Sequence, residues 1–177
     1  MATMILLPDA TGSASFHWIT VGVGISDPHE ALVNDNGSTS YVKCDDIGEA
    51  FQTEFAAPSV AEGDIASIDS VRFLSSGKSA HRSLSTRCSF LYNVPSGIAA
   101  ETATYNAHRT NFTTVSGTAR TTSDGSSAAW TYANLEDLQM RCTLASIVEV
   151  YVSYLAIEVT YTEAVSADNA TFFGTNF

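Results

Sequence analysis

The chain has little positive charge. Eight Lys and Arg stand against nineteen Asp and Glu in 177 residues, a formal net charge of −11. Lysine occurs only at Lys43 and Lys78, and the six arginines are scattered without forming a basic stripe. A nucleic-acid partner requires clustered cations to displace counterions, so none is expected, and an anionic membrane surface is disfavoured on the same ground. Long apolar runs are also missing: nothing approaches the roughly 20 residues of a transmembrane helix. Met4-Ile5-Leu6-Leu7 is too short for a signal-peptide core and is stopped by Pro8. The expectation is a protein made and kept in a cytoplasm unless released by other means.

Motifs of chemistry are equally scarce. Cys44, Cys88 and Cys142 are far apart, each inside an expected strand, and read as buried free thiols. His17, His29, His81 and His108 show no ligand spacing, so no metal site and no cofactor are expected. The chain has no Gly-x-Ser-x-Gly, no phosphate-binding loop and no dinucleotide fingerprint. No carboxylate pair stands out among the nineteen acids for glycoside hydrolysis. No catalytic residue is assigned, and the chain is expected not to be an enzyme.

What the chain does have is strand-forming sequence. Ser and Thr make up nearly a quarter of it, beside abundant Val, Tyr and Phe, a composition suited to pleated surfaces. The clearest stretch is 147–162. Val148, Val150, Val152 and Tyr154 alternate with Glu149 and Ser153, after which the phase slips to Leu155, Ile157, Val159 and Tyr161. A one-residue slip turns a strand inside out unless the backbone absorbs it, which predicts a β-bulge or bend near Tyr154–Leu155.

Other strands are expected over 16–21, 40–45 and 49–56, the last with Phe51, Thr53 and Phe55 on one face. Further ones are expected over 65–74 (ended by Ser75-Ser76-Gly77) and 80–92, with weaker candidates at 102–105 and 110–115. Asp35-Asn36-Gly37-Ser38 and Pro95-Ser96-Gly97 read as turns, and 116–127 as an exposed loop splayed from the sheet. Thr131 is placed to cap a short helix over 132–140, with Leu135 and Leu138 inward. Trp18 and Trp130 suit either a sugar platform or, more often, the plug at the end of a sandwich. The fold class expected is all-β: an antiparallel two-sheet sandwich of jelly-roll type with one short helix near 132–140.

The expected organisation is an N-terminal arm at 1–15, a β-sandwich domain at 16–162 and a C-terminal tail at 163–177. Phe172, Phe173 and Phe177 in the polar tail, and Ile5 and Leu6 in the arm, are the candidate partner-binding residues.

Several segments together resemble a family. They are 35–41 leading into Val42-Lys43-Cys44, the stretches 65–74 and 80–92, the box Trp130-Thr131-Tyr132-Ala133-Asn134-Leu135-Glu136-Asp137-Leu138-Gln139, and the closing Val150-Tyr151-Val152-Ser153-Tyr154 and Glu158-Val159-Thr160-Tyr161-Thr162. Over roughly 34–162 the chain resembles small virion proteins of tailed bacteriophages, departing from them where Met140-Arg141 replaces the usual glycine after Leu-Gln. The resemblance implies a jelly-roll-like structural component of the virion: a capsid decoration (cement) protein on the outer surface of the shell, assembled in the host cytoplasm. Its implied partners are the major capsid protein and further copies of itself, a homotrimer suiting local three-fold axes. The alternative is a receptor- or glycan-binding jelly roll on the tail or a head fibre, using exposed aromatics such as Trp18 or Tyr105 beside the 116–127 loop.

Overall fold

The alternating C-terminal stretch forms one long strand, Val150–Glu163, flanked by three others. The computed structural model describes residues 1–14, 19–33, 39–79, 86–94, 97–105, 111–123, 127–145 and 148–165. Among them the strands are β1 (Ala2–Leu6), β2 (Pro8–Ala14), β3 (Ile19–Val21), β4 (Tyr41–Cys44), β5 (Ala50–Phe55), β6 (Ile65–Ser79), β7 (Thr86–Val94), β8 (Gly97–Tyr105), β9 (Thr113–Ser116), β10 (Gln139–Leu144) and β11 (Val150–Glu163). One α-helix, α1 (Tyr132–Glu136), precedes β10.

All pairings are antiparallel, in two sheets. Sheet A runs β3-β4-β11-β6-β9, with β1 also on β11; sheet B runs β2-β5-β10-β7-β8. The expected all-β sandwich is the fold observed.

β11 carries sheet A. β6 covers one flank along its whole length. The other flank is shared end to end: β4 pairs with Val150–Val152 and β1 with 157–161. In the gap between them, the Leu155 N–H donates to the Leu32 carbonyl at 3.1 Å, so a loop residue completes the ladder. Leu32 and Ala31 are fully buried, just at the end of a 3-10 turn, Pro28–Ala31. That turn is held by the Glu30 carboxylate, which accepts from the Ser26 N–H at 2.7 Å and the Asp27 N–H at 3.1 Å. Those backbone donors hold the Glu30 carboxyl below its ordinary range.

The phase slip in β11 is a bulge at Ser153. Val152 pairs with Gly77 and Tyr154 with Ser76, leaving Ser153 as the extra residue. The bulge lies one residue earlier than the sequence pattern suggested, and Tyr154 accordingly falls outside the buried set, which continues as Leu155, Ile157, Val159 and Tyr161. Hydroxyls brace it from both strands: Ser153 Oγ donates to the Ser76 carbonyl at 3.4 Å, and Ser75 Oγ to the Tyr154 carbonyl at 3.0 Å. Ser75-Ser76-Gly77 therefore does not end a strand. β6 runs on to Ser79, because small hydroxyl residues fit opposite the crowded bulge.

The N-terminal residues differ most from expectation. The arm expected at 1–15 is a pair of strands. β1 lies in sheet A and β2 in sheet B, so the chain crosses between the sheets at Leu7-Pro8, with the Leu7 carbonyl accepting from the Ala56 N–H at 2.9 Å. Met4 and Leu6 alternate into the core at 6% and 2% exposure. The short apolar cluster before Pro8 read as part of an arm; the length of β11 is what gives it a partner and makes it a core strand.

Two other segments also depart from expectation. The 116–127 stretch is not splayed: Arg120 exchanges backbone hydrogen bonds with Val71 at 2.9 and 2.8 Å, and Ser123 is fully buried (124–126 lie outside the described residues). The helix ends at Glu136 instead of reaching 140, since Met140, Cys142 and Leu144 alternate into the core as β10. Thr131 caps it as expected, accepting from the Asn134 N–H at 3.2 Å while Asn134 Oδ1 accepts from the Thr131 N–H at 3.0 Å.

Between the sheets, Phe73, Leu155 and Ile157 face Phe51, Met140 and Leu144, all at 1% exposure or less. Cys44, Cys88 and Cys142 are buried free thiols, as the sequence suggested. Burial pushes Cys44 up to about 11 and Cys142 well above the ordinary thiol value, the neighbouring Cys88 adding to the latter.

Candidate functional site

A row of side chains crosses the outward face of sheet A at the end before the bulge. Strand register builds it. Ile19 on β3 pairs with Lys43 on β4, Lys43 with Tyr151 on β11, and Tyr151 with Lys78 on β6. Phe112, just before β9, completes it with Lys78 Nζ 4.8 Å from its ring centroid. Adjacent strands lie about 4.8 Å apart, so four spacings give the row a length of about 19 Å. Each of these residues alternates with inward neighbours: Val42 and Cys44 flank Lys43, Val150 and Val152 flank Tyr151, and Gly77 and Ser79 flank Lys78, all buried. The outward residues are held at the surface by the same packing that forms the core.

Three aromatic rings meet there. Tyr41, two residues before Lys43, packs edge-on against Tyr151 with centroids 5.2 Å apart, and lies 6.3 Å from Phe112. Lys78 Nζ sits between Phe112 and Tyr151, 4.9 Å from the latter centroid. Glu149, two residues before Tyr151, ties the other end together. Its Oε2 accepts from the Tyr151 hydroxyl at 2.8 Å and its Oε1 is 3.5 Å from Lys43 Nζ. Burial first, then Glu149, pushes the Tyr151 phenol up to about 12, so it remains a donor throughout the physiological range. Ile19, Lys43, Cys44, Asp45 and Glu149 line a small recess at that end. Aromatic faces, two ammonium groups and a carboxylate thus share one rigid surface.

The outward face of sheet B is different in kind. Gln52 Nε2 donates to Gln139 Oε1, and Gln139 Nε2 to Glu54 Oε1 at 3.2 Å, beside the exposed Arg141. Among the described residues, no group of three or more His, Cys, Asp or Glu side chains is placed to hold a metal ion.

Of the partner-binding candidates, Phe172, Phe173 and Phe177 lie outside the described residues. Leu6 is in the core, while Ile5 faces outward at 44% exposure. Ile5 and Leu6 therefore lie on opposite faces of β1. Trp130 is a plug: 4% exposed, its Nε1 donates to the Arg120 carbonyl at 2.9 Å. Trp18 lies outside the described residues, and the Tyr105 backbone ends β8 opposite Thr86. Sequence reading missed the row itself. Its trace was present in the two i, i+2 pairs, Tyr41-x-Lys43 and Glu149-x-Tyr151, on the polar phases of their strands.

No protein-family model matches the sequence, and no curated protein matches it. Solved structures do match. The chain superposes on the C-terminal CBM6 of LamC, a marine laminarinase from Zobellia galactanivorans, with a TM-score of 0.50 at 12% identity, covering 88% of this chain and 98% of that one. It also matches the CBM36-1 domain of a multidomain xylanase from the hindgut metagenome of Trinervitermes trinervoides (TM-score 0.48, 8% identity, 88% and 96% covered). A third match is a family 16 carbohydrate-binding module (TM-score 0.42, 14% identity, 83% and 89% covered). At such identity the likeness concerns the fold alone: this chain has the β-sandwich architecture of the LamC module.

Proposed function

We propose that this protein is a non-catalytic β-sandwich module that binds carbohydrate on the outward face of sheet A, at Tyr41, Tyr151, Phe112, Lys43, Lys78 and Glu149. The observation that carries this is the cross-strand row itself. A sugar ring presents an apolar C–H face and a rim of hydroxyls that both donate and accept. Half-buried aromatic rings at the surface take the first, and ammonium and carboxylate groups take the second. A site with apolar surface and a few fixed polar groups is the general form of a small-ligand site. Strand-borne side chains need little ordering on binding, which lowers its entropic cost. The LamC domain, whose fold this chain shares, is a carbohydrate-binding module, which supports the same class.

The test is calorimetric titration of the full chain against soluble polysaccharides, beside Tyr151→Ala. Binding should fall about tenfold or more in the variant, about 1.4 kcal/mol or more, with no release of reducing ends by either protein. Wild-type protein that binds no glycan would overturn the reading.

The virion context rests on the sequence resemblance. On that footing we place the module on a tailed-phage particle, as the tail or head-fibre recognition module. Shell decoration, with the major capsid protein as partner and a homotrimer as the assembled form, is the other role the resemblance allows. Copy number per purified virion, measured against the major capsid protein, separates them: near-stoichiometric for decoration, a few per cent or less for an appendage.

A further inference from the structure

The two lysines of the row are not in the same electrostatic state. Lys43 has a carboxylate partner, Glu149, at 3.5 Å. Lys78, among the described residues, has no carboxylate at ion-pair distance; its ammonium is held by the ring faces of Phe112 and Tyr151 at 4.8 and 4.9 Å. A cation–π contact positions an ammonium without neutralising it, because the rings carry no net charge. The row is therefore polarised. Its β3–β4 end carries Asp45 and Glu149 beside Lys43, while its β6 end carries, between two aromatic faces, an ammonium with no ion-paired carboxylate among the described residues.

We infer that this face selects acidic sugars, a uronate carboxylate or a sulfate ester engaging Lys78 while the sugar ring lies on Tyr151 and Phe112; this rests on the carbohydrate reading of the face. A neutral glycan would leave the Lys78 charge partly covered by ligand with no counter-charge, which costs desolvation energy that an anionic group offsets. The chain's net charge of −11 does not decide the matter, since at physiological salt interactions beyond about 8 Å are screened.

The experiment measures affinities of the full chain, at fixed ionic strength, for a neutral β-glucan, a polyuronate and a sulfated galactan. Wild type, Lys78→Met and Lys78→Arg are compared, each checked for native circular dichroism. Wild type should bind one or both acidic polymers about tenfold or more tighter than the neutral one, and which polymer is preferred identifies carboxylate or sulfate as the anion. Lys78→Met should bring the acidic-to-neutral ratio down to about one; Lys78→Arg should preserve most of it. Preference for the neutral glucan, or a ratio unmoved by Lys78→Met, overturns the inference and leaves the carbohydrate reading standing. Absence of binding to all three overturns both.

Discussion

Tyr151 on β11 lies between both lysines of the chain, paired in register with Lys43 on one side and Lys78 on the other, with Lys78 Nζ 4.9 Å from its ring centroid. Neither contact involves residues near Tyr151 in sequence. The chain's scarce lysines flank one residue because β4 and β6 pair with the same half of β11, ahead of the bulge.

That bulge makes a sharp prediction. Deleting Ser153 would leave Val150, Val152, Leu155, Ile157, Val159 and Tyr161 in unbroken alternation on one face, so the core set stays inward in an unbulged strand. The deletion should therefore keep a cooperative unfolding transition by circular dichroism, and Ser153→Ala should cost about 1 kcal/mol, the worth of one hydroxyl hydrogen bond. A deletion mutant without a cooperative transition would refute the bulge.

The N-terminal strands should be indispensable to stability. Removing residues 1–7 strips Met4 and Leu6 from the core and exposes the 157–161 flank of β11. Loss of two buried side chains, each worth roughly 1.5–3 kcal/mol, predicts a fall of at least about 3 kcal/mol in urea unfolding. A true arm would be removed without effect on the midpoint.

Base should destabilise the fold in two stages. The folded-state values are raised to about 11 for Cys44 and about 12 for Tyr151, from ordinary values of 9.0 and 10.0. Above its ordinary value each group is deprotonated sooner in the unfolded chain than in the folded one. Its stabilising contribution is thus intact below pH 9 for Cys44 and pH 10 for Tyr151, and is lost as pH rises to 11 and 12 respectively. Urea midpoints measured from pH 8 to 12 should decline across this range, and Tyr151→Phe should flatten the upper part.

The thiols offer an independent check of the core. Native protein at pH 8 should react slowly with a thiol reagent at all three cysteines, and all three should label promptly in denaturant. Rapid native labelling of Cys44 or Cys142 would place it outside the core described above.

Much of the fold was legible because it rests on period two. The faces of 51–55 and 147–162, the Thr131 cap and the buried thiols follow from local alternation and local hydrogen bonding. What escaped were features set by a partner strand. Met4 and Leu6 are core only because β11 is long enough to accept a second strand beyond β4. Ser75-Ser76-Gly77 has turn composition, yet the bulge opposite it requires small residues. The binding row was less legible still: Lys43, Tyr151, Lys78 and Phe112 are separated by 30 or more residues in sequence and become neighbours only through sheet order, which no single strand encodes.

The most direct test of the binding face is a backbone amide NMR titration of the full chain with a bound oligosaccharide identified by calorimetry. Shifts should concentrate at 41–43, 77–79, 112–114 and 149–152, the ends of β4, β6, β9 and β11 that build the row. Shifts gathered instead around Gln52, Glu54, Gln139 and Arg141 would put the site on sheet B and contradict the account.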